Sequence, residues 1–308
     1  MEKRIFGKTG LSVTSLGFGA GPIGFLETDQ TRVETIVNAL LDAGVNFIDT
    51  AASYRGSEEA LGKAVGRRRR EFVLVSKCGQ QFEDLPGQAW SAEVILATVD
   101  RSLRRLQTDH LDVVLLHSCG LELLEKGEAI GALLKARESG KIRYLGYSGD
   151  NEAAVFAARH PEISVIETSI NICDQANILT VLPMAREQNV GVIAKRPIAN
   201  SVWRPAQDQK GIYEDYTKAY QERFATMRIS PRDLGFSGEA DWPEIALRFT
   251  LSQPEVHVAI IGTTNPVNAK RNLDNAAKGP LDRSAVEKLR SAFEQAAQSR
   301  NEIWMGLT

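Results

Sequence analysis

Four ionisable side chains stand at or just beyond the ends of apolar segments in the N-terminal half of the chain. Asp49 ends the segment "NFID", Lys77 ends "EFVLVSK" and His117 ends "LDVVLLH", while Tyr54 follows Asp49 by a short loop. Each has an ordinary structural explanation on its own: a turn cap for the aspartate, an ion pair for the lysine and a core position for the histidine. They indicate a site only if the fold brings them together.

Together these four residues would suit proton exchange with a carbonyl or an alcohol. A tyrosine has an ordinary pKa of about 10, and a neighbouring ammonium lowers that pKa because it favours the phenolate. A carboxylate can hold the lysine in place, and a neutral imidazole can donate a hydrogen bond to a carbonyl oxygen. Acyl transfer is disfavoured because no Ser or Cys nucleophile is paired with the histidine, and one Asp with one His gives too few ligands for a metal.

Alternating apolar and amphipathic segments predict a repeated strand–helix unit. The strand candidates are residues 15–19, 46–50, 71–77, 111–117, 142–148, 163–169, 190–196 and 256–262. The helix candidates are residues 29–43, 57–66, 91–107, 122–139, 151–159, 177–188, 242–252, 265–276 and 282–298. The strands are continuous apolar runs, which is typical of parallel strands covered on both faces. Eight such units in 308 residues predict a single α/β domain, a (β/α)8 TIM barrel over residues 1–308.

A doubly wound sheet is the alternative fold, but no linker divides the chain into halves. In a (β/α)8 barrel the active site lies at the C-terminal ends of the strands. Asp49, Lys77 and His117 would therefore meet at one rim, with Tyr54 in the loop beside them. Converging from neighbouring strands, the four form a candidate catalytic site.

Two segments fall outside the eight units. Residues 4–15 have a Gly-Lys-Thr-Gly turn between two short β-type runs, which predicts an N-terminal hairpin that closes the barrel floor. Residues 198–241 form a long connection after the seventh strand, and such a connection in a compact barrel is usually functional. Its aromatic residues, with a short helix expected near 214–227, predict a lid over the barrel mouth.

Bulk composition predicts a cytoplasmic protein without nucleic-acid or membrane partners. The net charge of −2 gives no field that would recruit nucleic acid, and no apolar run is long enough to span a bilayer. The start of the chain lacks the apolar region of a signal peptide, and the three cysteines are scattered, as expected for free thiols in a reducing compartment. The one basic cluster, residues 67–70, is interpreted as a solvated helix end.

Several motifs resemble those of the aldo-keto reductase superfamily, and the resemblance covers essentially the whole chain. "FGKTGLSVTSLGFG" is similar to the opening hairpin and first strand of the family, and "GVNFIDTAASY" is similar to its G-x-x-x-x-D-T-A-x-x-Y signature. "VSKCG" and "LLHS" resemble the segments that carry the family's lysine and histidine, and "GKIRYLGYS" resembles its G-K-I-R-x-x-G-x-S stretch.

The resemblance implies a (β/α)8 barrel that reversibly reduces aldehydes or ketones with a nicotinamide cofactor. Tyr54 would be the general acid and base, tuned by Lys77, which pairs with Asp49, and His117 would orient the substrate carbonyl. The cofactor would lie extended across the barrel mouth. The implied cofactor contacts are Gly19, Asp49, Ser148, Glu167, Lys195, Pro197, Gly262, Thr263, Asn268, Arg271 and Asn272.

Three positions depart from the family pattern, and all three lie at the nicotinamide end. Gly149 follows the strand-five Ser148 where the family usually has Asn, and Glu167 stands where it usually has Gln. A carboxylate can accept a hydrogen bond from the carboxamide but cannot donate one. Lys195 stands where the family often has an aromatic residue; it would either cover the nicotinamide ring with its alkyl stem or pair with Glu167.

The other end of the cofactor bears on the choice of nucleotide. Arg271 or Lys270 could hold a 2′-phosphate; the alternative is that both belong to a solvated helix start. NADP is therefore the expected nucleotide, and NAD stays open. The expected substrate is a small carbonyl or alcohol, a sugar included, with Phe25 and Trp203 as candidate pocket walls. A cofactor-binding regulatory subunit without turnover, and a barrel of unrelated chemistry such as an isomerase, are the competing functions. The sequence leaves the oligomeric state open.

Overall fold

Eight parallel strands form a closed barrel surrounded by helices, which confirms the (β/α)8 prediction. The computed structural model describes residues 1–205 and 213–307. The strands are β1 (Lys3–Ile5), β2 (Ser12–Thr14), β3 (Leu16–Gly19), β4 (Phe47–Asp49), β5 (Val73–Cys78), β6 (Leu111–His117), β7 (Ile142–Ser148), β8 (Ile163–Ser169), β9 (Gly191–Lys195) and β10 (Val258–Ile261). The barrel runs in the order β10-β3-β4-β5-β6-β7-β8-β9, and all its pairs are parallel.

The helices follow the predicted alternation, with one division. They are α1 (Gly21–Phe25), α2 (Gln30–Asp42), α3 (Ser57–Val65), α4 (Ala92–Leu106), α5 (Leu121–Lys126), α6 (Glu128–Glu138), α7 (Asn151–Arg159), α8 (Ala176–Glu187), α9 (Tyr213–Met227), α10 (Trp242–Leu251), α11 (Pro266–Ala277) and α12 (Arg283–Ser299). The single helix expected at 122–139 is two helices, because Gly127 adopts a left-handed conformation with φ 73°. Across the described ranges, no helix combines the length and the apolar character needed to cross a bilayer.

Strand alternation divides the apolar residues into two packed layers. Successive side chains of a strand point to opposite faces, so every second residue enters the barrel interior. The interior cluster comprises Phe47, Val73, Val75, Val113, Leu115, Val165, Ile193, Val258 and Ile260. The residues between them, such as Ile48, Leu74 and Val114, belong to the layer that packs against the helices. Burial of both layers is the main force that holds the strand ends in place.

The N-terminal hairpin closes the floor of the barrel, as predicted. β1 and β2 pair antiparallel, and Phe6 beside them is fully buried in the interior cluster. The Phe6 ring packs edge-on against Phe47 with 5.7 Å between the ring centroids. Gly191 lies against the same ring, and a Cβ there would come within 2.7 Å of it. The hairpin therefore seals the end of the barrel opposite the candidate site.

The long connection after β9 contains the predicted helix. α9 covers Tyr213–Met227, close to the expected 214–227. The Tyr220 hydroxyl donates to Asp174 Oδ2 at 2.9 Å, and the Arg223 guanidinium donates to the Cys173 carbonyl at 3.1 Å, so α9 is fixed to the loop after β8. Residues 206–212, part of the predicted lid, lie outside the described residues.

Candidate active site

At the C-terminal end of each strand, the residue two positions beyond the last interior residue also points into the barrel. This brings the candidate residues together at one rim. Strand register places Gly19 beside Asp49, and His117 beside Ser148, which in turn pairs with Glu167. The rim residues that share the inward parity are Gly19, Asp49, Lys77, His117, Ser148, Glu167 and Lys195. Side chains from strands far apart in sequence thus line one small space.

Asp49 and Lys77 form a buried ion pair at the centre of this space. Lys77 Nζ lies 2.6 Å from both carboxylate oxygens of Asp49 and donates to the Thr50 carbonyl at 3.0 Å. The two side chains are at most 2% exposed. Burial opposes the charge on Lys77, but the carboxylates of Asp49 and Glu167 outweigh it and raise the pKa of the ammonium. Lys77 is therefore charged at neutral pH.

Glu167 contacts the same ammonium. Its Oε2 lies 3.2 Å from Lys77 Nζ, and its side chain is 3% exposed. Burial and the neighbouring Glu167 raise the pKa of Asp49 well above its usual range, against the pull of Lys77. One cation is thus shared by two carboxyl groups, an arrangement that the sequence pattern did not predict.

Tyr54 lies over this charged centre. Lys77 Nζ is 5.4 Å from the centroid of the Tyr54 ring, and the rings of Phe25 and His117 flank it edge-on at 5.0 and 5.9 Å. Burial raises the pKa of Tyr54 to about 12, with Asp49 and Glu167 adding to the rise and Lys77 opposing it. Lys77 lowers this pKa, as expected, but desolvation and the two carboxylates outweigh the ammonium and the net shift is upward.

His117 is a neutral imidazole. Burial, followed by the charges of Lys77 and Lys195, lowers the pKa of His117 to about 3. Its Nδ1 lies 3.3 Å from the Ser53 hydroxyl oxygen. A neutral imidazole can donate one hydrogen bond and accept another, so this contact leaves Nε2 able to meet a substrate oxygen.

Lys195 pairs with Asp150, which corrects the alternative that it pairs with Glu167. Lys195 Nζ lies 3.0 Å from Asp150 Oδ2, whereas Glu167 is bound to Lys77. Asp150 also accepts hydrogen bonds from the Ser169 backbone N–H at 2.7 Å and from the Thr168 hydroxyl at 2.8 Å. The position of Asp150, two residues past the end of β7, was the one signal in the sequence that could have assigned it to the site.

A cavity of about 680 Å³ opens above these residues and extends to the start of α11. At one end it is lined by Asp49, Tyr54, His117 and Phe25, with the polar side chains of Ser53, Gln80 and Ser118, which sequence reasoning had not singled out. Arg196 and Arg204 also line it. Trp203 does not line it: its ring stacks on Trp242 with 6.1 Å between the centroids. Trp203 is thus placed in the packing beneath α10.

The residues expected at the adenosine end line the opposite part of the same cavity. They are Gly262, Thr263, Asn268, Arg271 and Asn272. Lys270 points away into an ion pair with Asp274, with Nζ 2.9 Å from Oδ2. Arg271 forms no ion pair with another described residue, so of the two candidate cations it is the one available to a ligand.

The side chains along the cavity are of the kinds that could bind a nicotinamide dinucleotide. Ser148, Glu167, Lys195 and Pro197 line it near Tyr54, and an arginine with the N-terminus of the twelve-residue α11 lies at its other end. Helix N-termini and arginines are both suited to phosphate groups. Within the described ranges no cluster of His, Cys, Asp and Glu is arranged to hold a metal ion.

Comparison with known proteins agrees with this geometry. The model of the aldo/keto reductase family matches residues 15–294. The chain is 26% identical to L-galactose dehydrogenase of Arabidopsis thaliana over 89% of this chain and 87% of that protein. It is 24% identical to the NADH-specific methylglyoxal reductase of Escherichia coli, over 96% and 100% of the two chains.

Among solved structures, the holo form of aldo-keto reductase AKR11C1 from Bacillus halodurans superposes with a TM-score of 0.79. It is 28% identical to this chain and the match covers 95% of this chain and 96% of that one. A family match over nearly the whole chain, together with the shared barrel, shows the relationship. The chain therefore belongs to the aldo/keto reductase family and is an NAD(P)H-dependent aldo-keto reductase.

Proposed function

We propose that this enzyme moves a hydride between a nicotinamide cofactor and the carbonyl carbon of a small aldehyde or ketone, or the matching alcohol, with Tyr54 as general acid and base. The observation that carries the proposal is that Tyr54 and His117 meet at one end of a cavity, with the Lys77 ammonium buried against the Tyr54 ring, while Arg271 lines the other end. When bound, the nicotinamide supplies the hydride chemistry. The protein groups supply position and protons.

Each residue of the site has a distinct part in carbonyl reduction. His117, neutral because burial keeps its pKa at about 3, donates a hydrogen bond that orients the carbonyl oxygen. Tyr54, whose pKa is about 12, holds its proton at neutral pH and gives it to the alkoxide as that charge develops. The Lys77 ammonium, 5.4 Å from the ring, stabilises the phenolate that remains. Asp49 holds Lys77 in place through both carboxylate oxygens.

We place the nicotinamide carboxamide at Ser148 and Glu167, with Lys195 and Pro197 beside the ring. Ser148 can donate and accept a hydrogen bond, and Glu167 can accept one from the amide nitrogen. The alkyl stem of Lys195, anchored at its tip by Asp150, gives an apolar surface in place of an aromatic ring. Gly19, Gly262, Thr263, Asn268 and Asn272 would hold the rest of the dinucleotide.

We further propose that NADP is the preferred nucleotide and that the substrate is polar. Arg271 lines the adenosine end, forms no ion pair with another described residue and would bind a 2′-phosphate. NAD is the alternative, as in the relative named for NADH. Ser53, Gln80 and Ser118 line the part of the cavity near Tyr54, while Phe25 supplies an apolar wall. This mixture suits a short hydroxylated carbonyl compound, in keeping with relatives named for galactose and methylglyoxal.

The test is turnover of the purified enzyme with NADPH or NADH, offered with aldehydes, methylglyoxal and, in the reverse direction, aldoses. Tyr54→Phe should lower kcat by at least about 100-fold while the nucleotide still binds, because the substitution removes only the proton donor. Tyr144→Phe is the matched control. The Tyr144 hydroxyl donates to the Thr9 carbonyl at 2.6 Å near the barrel floor, and kcat should not change.

Two results would contradict the proposal. Wild-type enzyme that binds nucleotide but turns over no substrate in either direction would favour a regulatory role for the barrel. Full activity in Tyr54→Phe would mean that the proton comes from another group, for which His117 is the nearest alternative.

A further inference from the structure

Two acidic side chains share one basic side chain at the centre of the site. Asp49 and Glu167 are both buried and both lie on the single ammonium of Lys77, at 2.6 and 3.2 Å. Two carboxyl groups around one cation leave either one negative charge in excess or one proton retained between them. Glutamine, the residue that the family pattern leads one to expect in place of Glu167, has the same shape without the charge.

Among the described residues, Lys77 is the only cation within ion-pair distance of Asp49 or Glu167. Tyr54 and His117 are neutral, since burial raises the pKa of the first to about 12 and lowers that of the second to about 3. Lys195 is neutralised by Asp150 at 3.0 Å. Arg196, the next cation on the rim, keeps its charge and opposes the rise in the Tyr54 pKa, but the hydrogen bond that it donates at 2.6 Å goes to the Leu307 carbonyl and not to either carboxylate. The excess therefore stays with the pair formed by Asp49 and Glu167.

The pair faces the ligand cavity. Both carboxylates are among the residues that line it. Oε2 of Glu167 is fully buried and makes no well-aligned hydrogen bond within the described part of the chain, although Lys77 lies close to it. A buried carboxylate oxygen without such a bond is electrostatically costly, and a positive ligand group nearby would relieve that cost.

We propose that Glu167 makes this site selective for the oxidised nucleotide over the reduced one. The inference rests on the proposed function, which places the nicotinamide against Glu167. The oxidised ring carries a positive charge and the reduced ring is neutral, while their shapes are nearly the same. One extra negative charge in a poorly solvated site is sufficient to change the ratio of the two affinities by an order of magnitude.

Proton retention gives the proposal a second signature. In the site without ligand, burial and Glu167 raise the pKa of Asp49, which favours a proton on that carboxyl group. A positive ring favours release of that proton and a neutral ring does not. Binding of the oxidised nucleotide should therefore tighten as the pH rises, by up to about tenfold per unit, while binding of the reduced nucleotide stays level.

The experiment measures dissociation constants for NAD+, NADH, NADP+ and NADPH by calorimetry or fluorescence, from pH 5.5 to 8.5. Glu167→Gln should lower the preference for the oxidised form by about tenfold and flatten its pH dependence. Glu58→Gln is the matched control, because Glu58 is also a buried carboxylate, bonded to Ser76 at 2.7 Å, but does not line the cavity. The control should bind both forms as the wild type does.

The outcomes separate this inference from the proposed function. If both forms bind but Glu167→Gln leaves their ratio unchanged, the inference is wrong and the proposed function stands. If no nucleotide binds to the wild-type enzyme, the proposed function is wrong and the inference with it. The pH series on the wild-type enzyme tests the inference even if Glu167→Gln does not fold: parallel pH dependence for the two forms would overturn it.

Discussion

The ammonium of Lys195 lies 3.0 Å from the carboxylate of Asp150, and this ion pair links the ends of three neighbouring strands. Lys195 ends β9, Asp150 lies two residues past the end of β7, and Asp150 accepts hydrogen bonds from Ser169, the last residue of β8. Asn177 of α8 donates to the same carboxylate at 2.8 Å. The pair therefore organises the side of the rim where we place the nicotinamide.

Lys195→Met should destabilise the fold. The substitution keeps most of the apolar stem and removes the positive charge that Lys195 places 3.0 Å from the buried Asp150 carboxylate. Breaking a buried pair in this way costs about 3 kcal/mol in the free energy of unfolding. Urea denaturation at pH 7 would measure the change.

Arg186→Met provides the comparison for an exposed ion pair. Arg186 lies 3.2 Å from Glu255, but its side chain is 72% exposed. Because water and salt screen such a pair, the loss should stay within about 0.5 kcal/mol. Losses of similar size in the two variants would mean that Asp150 is held by its hydrogen bonds alone.

Strand parity explains why much of the site could be predicted from sequence. Side chains two positions past buried inward residues must enter the barrel, so Asp49, Lys77 and His117 are brought to one rim wherever the eight-strand pattern holds. The same reasoning cannot choose partners. Whether Lys77 or Lys195 meets Glu167 depends on distances of a few ångströms between strands, which sequence does not encode in any local signal.

The pKa of Tyr54 shows a second limit of prediction from sequence. The direction in which this pKa shifts depends on desolvation, one ammonium and two carboxylates, and these contributions are opposed. Sequence indicated the ammonium of Lys77 but gave no measure of burial and did not indicate that Glu167 contacts Lys77. The division of one expected helix at Gly127 was also missed, since glycine is tolerated inside helices and gives only a weak stop signal.

Phe6→Ala should destabilise the barrel floor without altering the active-site rim. The Phe6 ring is fully buried against Phe47 and Gly191, and its loss leaves a cavity that the strands cannot fill. The expected cost is about 3 to 4 kcal/mol. Ile5→Ala, at a neighbouring side chain that is 63% exposed, should change the free energy of unfolding by less than about 1 kcal/mol. Equal effects would mean that the hairpin does not close the floor in solution.

Asp174 should make stability decrease as the pH rises. Burial and the nearby Asp150 raise the pKa of Asp174 to about 7, although the Leu307 N–H and the Tyr220 hydroxyl donate to it. Its pKa in the unfolded chain is about 3.9. The raised value contributes stability that is fully present below pH 4 and is lost as the pH rises to about 7, at up to about 1.4 kcal/mol per pH unit.

Asp174→Asn isolates this contribution, because an asparagine can still accept the hydrogen bonds but does not ionise. Melting temperatures measured from pH 4.5 to 7.5 should fall more steeply with pH in the wild type than in the variant. Parallel curves would show that Asp174 ionises alike in the folded and unfolded chain.

Arg271→Ala should distinguish the two nucleotides. Arg271 lines the cavity at the start of α11 and forms no ion pair within the described residues, so it is free to bind a 2′-phosphate. We expect its removal to weaken NADPH binding by about tenfold or more and NADH binding by less than about twofold. Lys270→Ala is the control from the adjacent position, because the Lys270 ammonium is bonded to Asp274 at 2.9 Å and is turned away from the cavity. Equal losses for NADPH and NADH in Arg271→Ala would place the guanidinium on a group that both nucleotides share, and the proposed preference for NADP would then lose its structural basis.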